Sequence, residues 1–517
     1  MTDSAGNGNQ KYTCAVTMAD RGEACATAAW LAIRPLARTH IDSDLAHWNL
    51  PMSDLYDRLI SERENPELLS RASAYGTAYL RDVDSRAVYP THDAVDALST
   101  FSEPLPPAGT DAAELLATLH THGSPATVAQ MGGRYFGMVN GGVIPAALAA
   151  RVLGDHWDQN PALYALSPVA ATLEQVCEDW LTDLLGLPAD TALGVVSGSS
   201  IAIFSALAAA RWRLLNNLGW DVNARGLLGA PALRVITSTH THGTVKKAIA
   251  LLGFGLDNIE WVEVDEQGRL DADRMPDLDA SCLVILQAGN VNSGAFDPFA
   301  RLCRRARDVG AWVHVDGAFG LWAAANPAMA ELTAGLADAD SWSADGHKTL
   351  NTPYDNGLVL TRDRDALINA LQLSGDYVVW GAARDNMLYT PEMSRRARGV
   401  ELWAALKSLG CEGVAELVQT LHDRACQFAT ELPAAGFRVL NNVVYNQVLV
   451  KAASDEQTDA VIAAVQRSGE CWVGGSSWFG ERVMRISVCN WRTTPHDVTR
   501  SVAAMSKALD AVSSTAS

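Results

Sequence analysis

Ser343-Ala344-Asp345-Gly346-His347-Lys348-Thr349 is the stretch on which the reading of this chain turns. It follows the acidic turn Ala337-Asp338-Ala339-Asp340 and an apolar segment ending at a strand-like Trp342, and it precedes Asn351-Thr352-Pro353-Tyr354. A lone lysine in a loop is ordinarily a solvated surface residue. Here it comes directly after a histidine at the end of an apolar segment. A lysine whose amine is desolvated, or held near another cation, has a lowered pKa and can form a Schiff base. The flanking pattern says where such a loop lies. From about residue 165, short apolar runs alternate with helical stretches: a helix over 171–185, a strand at 193–196 and a helix reaching about 215. Strands follow at 233–237, 259–264 and 282–287, then a helix over 298–309 and a strand at 312–315. Short strands separated by helices predict a mainly parallel sheet covered on both faces. In such sheets ligands bind beyond the carboxyl ends of the strands.

Three further segments fall at those ends. In Trp312-Val313-His314-Val315-Asp316-Gly317-Ala318 an aspartate closes a buried strand. A buried carboxylate needs a partner, either a helix N-terminus that it caps or a cationic ring nitrogen. Gly194-Val195-Val196-Ser197-Gly198-Ser199-Ser200 is a strand, a small polar turn and a helix start. The free N–H groups and the positive dipole end make such a turn an anion site. Ser238-Thr239-His240-Thr241-His242-Gly243-Thr244 lies between a strand and a helix. Its histidine pair lacks a third metal ligand at a set spacing, and an imidazole stacked on an aromatic cofactor fits the setting better.

The 517 residues are 48% apolar and 19% charged, the balance of a globular protein with ample core. A net charge of −19 repels phosphate backbones, which argues against a nucleic-acid partner. Nine cysteines, an odd number with no Cys-x-x-Cys spacing, point to reduced thiols in a cytoplasm. The opening Met1-Thr2-Asp3-Ser4 begins no secretory leader, and no apolar run reaches the roughly 18 residues of a membrane span. Residues up to about 130 read as helices and loops, with helices over 52–62 and 112–120. Beyond 400 come helices over 400–409 and 414–432, with strands at 437–440, 446–451, 471–473 and 483–488. The expected organisation is an N-terminal helical segment (1–130), a large α/β domain (131–395) and a small C-terminal α+β domain (396–517).

Taken in order, these segments resemble the pyridoxal-5′-phosphate (PLP) dependent group II amino-acid decarboxylases, which include aromatic-amino-acid, histidine and glutamate decarboxylases. The likeness runs from about residue 130 to 500. It includes the 32-residue step from Asp316 to Lys348, the run Ser167-Pro168, Glu174, Trp180-Leu181, Leu184, Leu187-Pro188, and Ser394-Arg395-Arg396-Ala397-Arg398 with Leu402-Trp403. The resemblance implies PLP fold type I, a homodimer with active sites at the subunit interface, and L-amino-acid α-decarboxylation. Lys348 would be the internal aldimine lysine, Asp316 the partner of the ring nitrogen and His242 the imidazole stacked on the ring. Gly198, Ser199, Ser200 and His347 would contact the phosphate. Ala318 would pack beneath the ring, and Asn292 would lie near it. Tyr377 would protonate the carbanion after CO₂ leaves, with Tyr389 the rival for that role. Two departures stand out. Asp345-Gly346 replaces the Asn-Pro of many relatives, placing a carboxylate near the phosphate, which is unfavourable unless it turns away or finds a cation. Gly133-Arg134-Tyr135-Phe136 replaces a His-Pro before an aromatic pair, so the side-chain pocket is altered, with Tyr135, Phe136 and Trp380 as candidate linings. Aldehyde-forming decarboxylation, carbon–carbon lysis and transamination are rival reactions on the same scaffold, and a non-catalytic binding partner is the rival of another class.

Overall fold

The computed structural model describes residues 54–372 and 383–515. The chain divides into a short N-terminal unit, Met1–Asn65, and a main body, Pro66–Ser517. Helix α1 (Asp54–Glu64) belongs to the first. The main body opens with helices α2 (Pro66–Asp82), α3 (His92–Asp96), α4 (Ala112–Thr118), α5 (Pro145–Trp157) and α6 (Pro168–Leu184). The start of α6 follows from its sequence. Ser167 accepts the Ala170 N–H, and Pro168 stands in the first turn, where its missing N–H costs nothing.

Next come β1 (Ala192–Val196), α7 (Ser199–Asn217), α8 (Val222–Arg225), β2 (Arg234–Ser238), α9 (Gly243–Leu251), β3 (Ile259–Val262), β4 (Cys282–Gln287), α10 (Phe299–Val309), β5 (Trp312–Asp316), β6 (Ser341–Asp345), β7 (Gly357–Thr361) and α11 (Arg364–Leu371). Seven strands form one sheet in the order β1-β7-β6-β5-β4-β2-β3. Its pairings from β6 through β3 are parallel, and β7 runs antiparallel to both of its neighbours. This is the large α/β architecture of PLP fold type I. Strands β1, β4, β5, β6 and β7 are buried along their whole length; β1, β4 and β7 read as near-continuous apolar runs, while β5 and β6 also bury His314, Asp316, Ser341, Ser343 and Asp345. Helix α7 presents Ala202, Ala206, Ala209 and Ala210 to the core, and these small side chains let it lie close. Each larger side chain taken fully out of water, such as Leu207 or Ile285, contributes about 1.5–3 kcal/mol.

After α12 (Gly399–Glu431), the C-terminal part holds β8 (Arg438–Val439), β9 (Gln447–Lys451), α13 (Asp455–Ser468), β10 (Gly474–Trp478), β11 (Glu481–Ser487) and α14 (Pro495–Thr515). Its sheet runs β10-β11-β9-β8, antiparallel throughout. The two helices expected around 410 meet within α12 at a kink on Gly410, whose φ of +64° is not helical. The strand expected at 471–473 is displaced. Trp472 makes only an isolated bridge to Tyr135, and the strand itself is β10. Its Gly474-Gly475-Ser476-Ser477 run carries little apolar signal because an edge strand on the surface needs none.

One buried ion cluster ties this framework together. Glu178 on α6 accepts the N–H of Leu193 at 2.7 Å and pairs with Arg364 at 2.6 Å and Arg384 at 2.7 Å. Burial pushes its carboxyl up, but the two guanidinium groups and the amide together pull it below its ordinary value. Glu178→Ala strands Arg384 in the interior without its counter-charge. It is expected to cost about 3–5 kcal/mol, read as a lowered urea midpoint; an unchanged midpoint would show that the cluster contributes nothing to stability.

Candidate active site

The segments singled out in the sequence open at one edge of the large sheet. Asp316 ends β5, Lys348 lies three residues past β6, His242 lies four past β2 and Gly289 two past β4. They meet at a cavity of about 280 Å³ lined by Lys348, Asp316, His242 and Ala318, together with Asn140, Gln287, Phe319 and Arg485 among others. Asp316 accepts the Ala318 N–H at 3.2 Å and the Ser343 hydroxyl at 3.5 Å. Desolvation pushes its carboxyl up, against the pull of His242 and Lys348. No lysine or arginine among the described residues forms an ion pair with it. His242 caps α9: its Nδ1 lies 2.7 Å from Thr244 Oγ1 and accepts the Thr244 N–H at 3.3 Å. Burial lowers its pKa, so the ring is neutral near pH 7, and an accepting Nδ1 leaves the proton on Nε2.

The carboxylate of Asp345 has found its cation. Its Oδ2 lies 2.9 Å from Lys348 Nζ, and its Oδ1 accepts the N–H of Ser199 at 2.5 Å. Asp345 thus links the lysine to the first turn of α7. The Gly198-Ser199-Ser200 turn lies beyond the cavity wall and is joined to it through this side chain. His347 flanks the same turn: its ring carbon would touch a Cβ placed on Gly198. Its Nδ1 accepts the Asn356 N–H at 3.0 Å, and its ring stacks on Tyr354 at 4.3 Å.

Other candidates stand elsewhere. Asn292 turns its amide to the C-terminal sheet, accepting from Ser476 Oγ at 2.7 Å and donating to Ser477 O at 3.3 Å; Gly289 and Val291 of its loop line the cavity instead. Tyr389, the rival proton donor, is buried among Arg364 and Arg384 and accepts from Arg364 at 2.9 Å, away from the cavity lining. Phe136 is wholly buried edge-on to Phe428 in the C-terminal core, which corrects its reading as a pocket residue. Tyr135 stacks on Trp472. Tyr377 and Trp380 lie outside the described residues.

Arg485 is the side chain that reading by motif missed. It lines the cavity from β11, donating to Val291 O at 3.3 Å and Met138 O at 3.1 Å, while its buried Nε has no partner among the described residues. Burial lowers its pKa. The available signal was a lone arginine inside the otherwise apolar strand expected at 483–488.

Residues 102–451 match the model of the pyridoxal-dependent decarboxylase conserved domain. The chain belongs to the pyridoxal-dependent decarboxylase family. It is 26% identical over 446 residues to an aromatic-L-amino-acid decarboxylase of Bacillus atrophaeus, covering 81% of this chain and 90% of that one. It is 29% identical over 446 residues to an L-2,4-diaminobutyrate decarboxylase of Rhizobium meliloti (strain 1021), covering 80% and 84%. Among solved structures, Oryza sativa TDC with PLP and tryptamine superposes with a TM-score of 0.80 at 22% identity, over 89% of this chain and 99% of that one. The protein is a PLP-dependent amino-acid decarboxylase.

The residues present fit PLP. A carboxylate facing the cavity with no lysine or arginine partner among the described residues, Asp316, is complementary to a protonated ring nitrogen. The amine of Lys348 opens on the same space, and Asp345 joins that amine to the first turn of α7, where the positive end of the helix dipole suits a phosphate. That turn is held from behind by a close approach of two backbones, since any Cβ on Gly357 of β7 would collide with Gly198. Gly357→Ala is therefore expected to displace the turn and raise the PLP dissociation constant at least about tenfold in a fluorescence titration. An unchanged constant would place the phosphate elsewhere.

Proposed function

We propose that the cavity removes the α-carboxylate of an L-amino acid, with Lys348, Asp316 and His242 as its working groups. The observation that carries this reading is that these three side chains, separate in sequence, line one cavity at the carboxyl edge of the sheet. PLP, when bound, supplies an electron sink into which the Cα–carboxylate bond can break. Lys348 would hold the cofactor through its amine. Asp316 keeps the ring nitrogen protonated, and neutral His242 flanks the ring while offering its Nε2 proton. Arg485, a buried cation at the cavity wall, receives an anionic group of the substrate. Gly198, Ser199, Ser200 and His347 hold the phosphate, Ala318 packs beneath the ring, and Tyr377 returns a proton to Cα.

The assembly proposed is a homodimer. Val152, Leu153, Trp157, Leu166 and Val169 lie exposed along α5 and the start of α6, an apolar stretch of the kind that marks an interface. The three-part organisation at 1–130, 131–395 and 396–517 is retained as a proposal. So is a cytoplasmic setting without membrane or nucleic-acid partners. Cysteines 177, 282, 303, 411, 426, 471 and 489 are unpaired, no described helix is long and apolar enough to cross a membrane, and the net charge is −19.

The test is a panel of L-amino acids incubated with the purified protein and PLP, scored for products. Amine and CO₂ in equal amounts from at least one of them are expected. Aldehyde with ammonia, or a keto acid, from the unaltered protein would overturn the assignment. In the same assay Tyr377→Phe is expected to divert product towards aldehyde, and full amine formation by that variant would remove Tyr377 from the mechanism.

A further inference from the structure

Behind Asp316, on the side away from the cavity, lies a chain of polar side chains buried between β5 and β6. Trp312 Nε1 donates to Ser341 Oγ at 2.9 Å, and Ser341 Oγ lies 3.0 Å from His314 Nδ1. His314 Nε2 lies 3.5 Å from Ser343 Oγ, which in turn lies 3.5 Å from Asp316 Oδ1. Ser341, His314 and Ser343 are completely buried. The parallel pairing of the strands, with His314 opposite Ser341 and Asp316 opposite Ser343, brings them together.

One arrangement of hydrogens uses every donor in this row. The indole N–H can only donate, so Ser341 accepts it and turns its own hydrogen to His314 Nδ1. The neutral ring then carries its proton on Nε2 and donates to Ser343, whose hydroxyl hydrogen is left for Asp316. Complete burial holds the His314 imidazole down to about 3, so the ring remains neutral across the working range, and the donor-only indole of Trp312 sets the direction of the row. None of these side chains except Asp316 lines the cavity.

Resting on the PLP reading above, we propose that His314 and Ser343 are positioning residues that orient a hydroxyl donor onto Asp316. They hold it as a carboxylate facing the cofactor ring nitrogen. The row gives Oδ1 of Asp316 a second donor beside the Ala318 amide. The other charged or titratable groups facing Asp316 are His242 ahead of α9, Lys348 beyond β6 and Asp345 at the end of β6. All three belong to the cofactor site, so the row from His314 is the part of its environment that can be altered without touching that site.

Without the donor, Asp316 becomes more basic and draws the proton off the ring nitrogen. The positive charge that depresses the pKa of the cofactor–lysine linkage is then lost. Ser343→Ala is expected to raise the pH midpoint of the visible absorbance of PLP-loaded protein by about one unit, the scale of one hydrogen bond to a charged group. His314→Leu is expected to shift it in the same direction. His314→Gln, whose amide can place an N–H near the lost Nε2, should restore most of the midpoint. The double variant Ser343→Ala/His314→Leu should shift it no further than Ser343→Ala alone. Midpoints that stay at the unaltered value in both Ser343→Ala and His314→Leu would overturn the proposal while leaving the cofactor reading intact. Absence of a visible band in the unaltered protein would overturn both.

Discussion

The ion pair between Asp345 and Lys348 organises the rest of the site. A carboxylate placed among apolar strands must be neutralised, and here one oxygen meets an ammonium while the other meets the first N–H of α7. Strand β6 thereby sets the position of the reactive amine and of the phosphate turn at once. Because β6 lies between β5 and β7, the same strand aligns Asp316 on one side and the Gly357–Gly198 contact on the other. Parallel strands with their carboxyl ends level are what let residues as far apart as 242, 316 and 348 line one cavity.

Sequence reading reached the sheet because its strands are buried on both faces and so stand out as short apolar runs. Cys282–Gln287 matches its observed bounds for that reason. It reached the working residues because each follows such a run. What it missed has physical causes. Strand β7 turns back antiparallel after a loop of small polar residues, so its short apolar run breaks the helix–strand alternation, and β10 is a glycine- and serine-rich edge strand without the apolar signature. Arg485 carries no motif, only its incongruity inside a strand. Asn292 sits in the expected loop, but the orientation of one amide depends on what packs above it, here Ser476 and Ser477.

Several residues that carried the family likeness act in architecture rather than chemistry. Glu174 and Arg395 form an ion pair with both side chains almost completely buried. Arg396 pairs with Glu401 and Asp355, and Arg398 with Asp355. The guanidinium groups of Arg396 and Arg398 hold the Asp355 carboxyl down to about 2 against the opposing push of burial. Removing one partner of such a pair leaves an uncompensated interior charge, so these positions resist change without touching a substrate. The segment that frames the site is therefore as charge-specified as the site itself.

The central claim is that PLP is joined to Lys348 and no other lysine. Borohydride reduction of the loaded protein, followed by digestion and mass mapping of the modified peptide, tests it directly. The account requires the added mass on the peptide containing His347-Lys348-Thr349. The same mass on another lysine, or none after reduction, would contradict it.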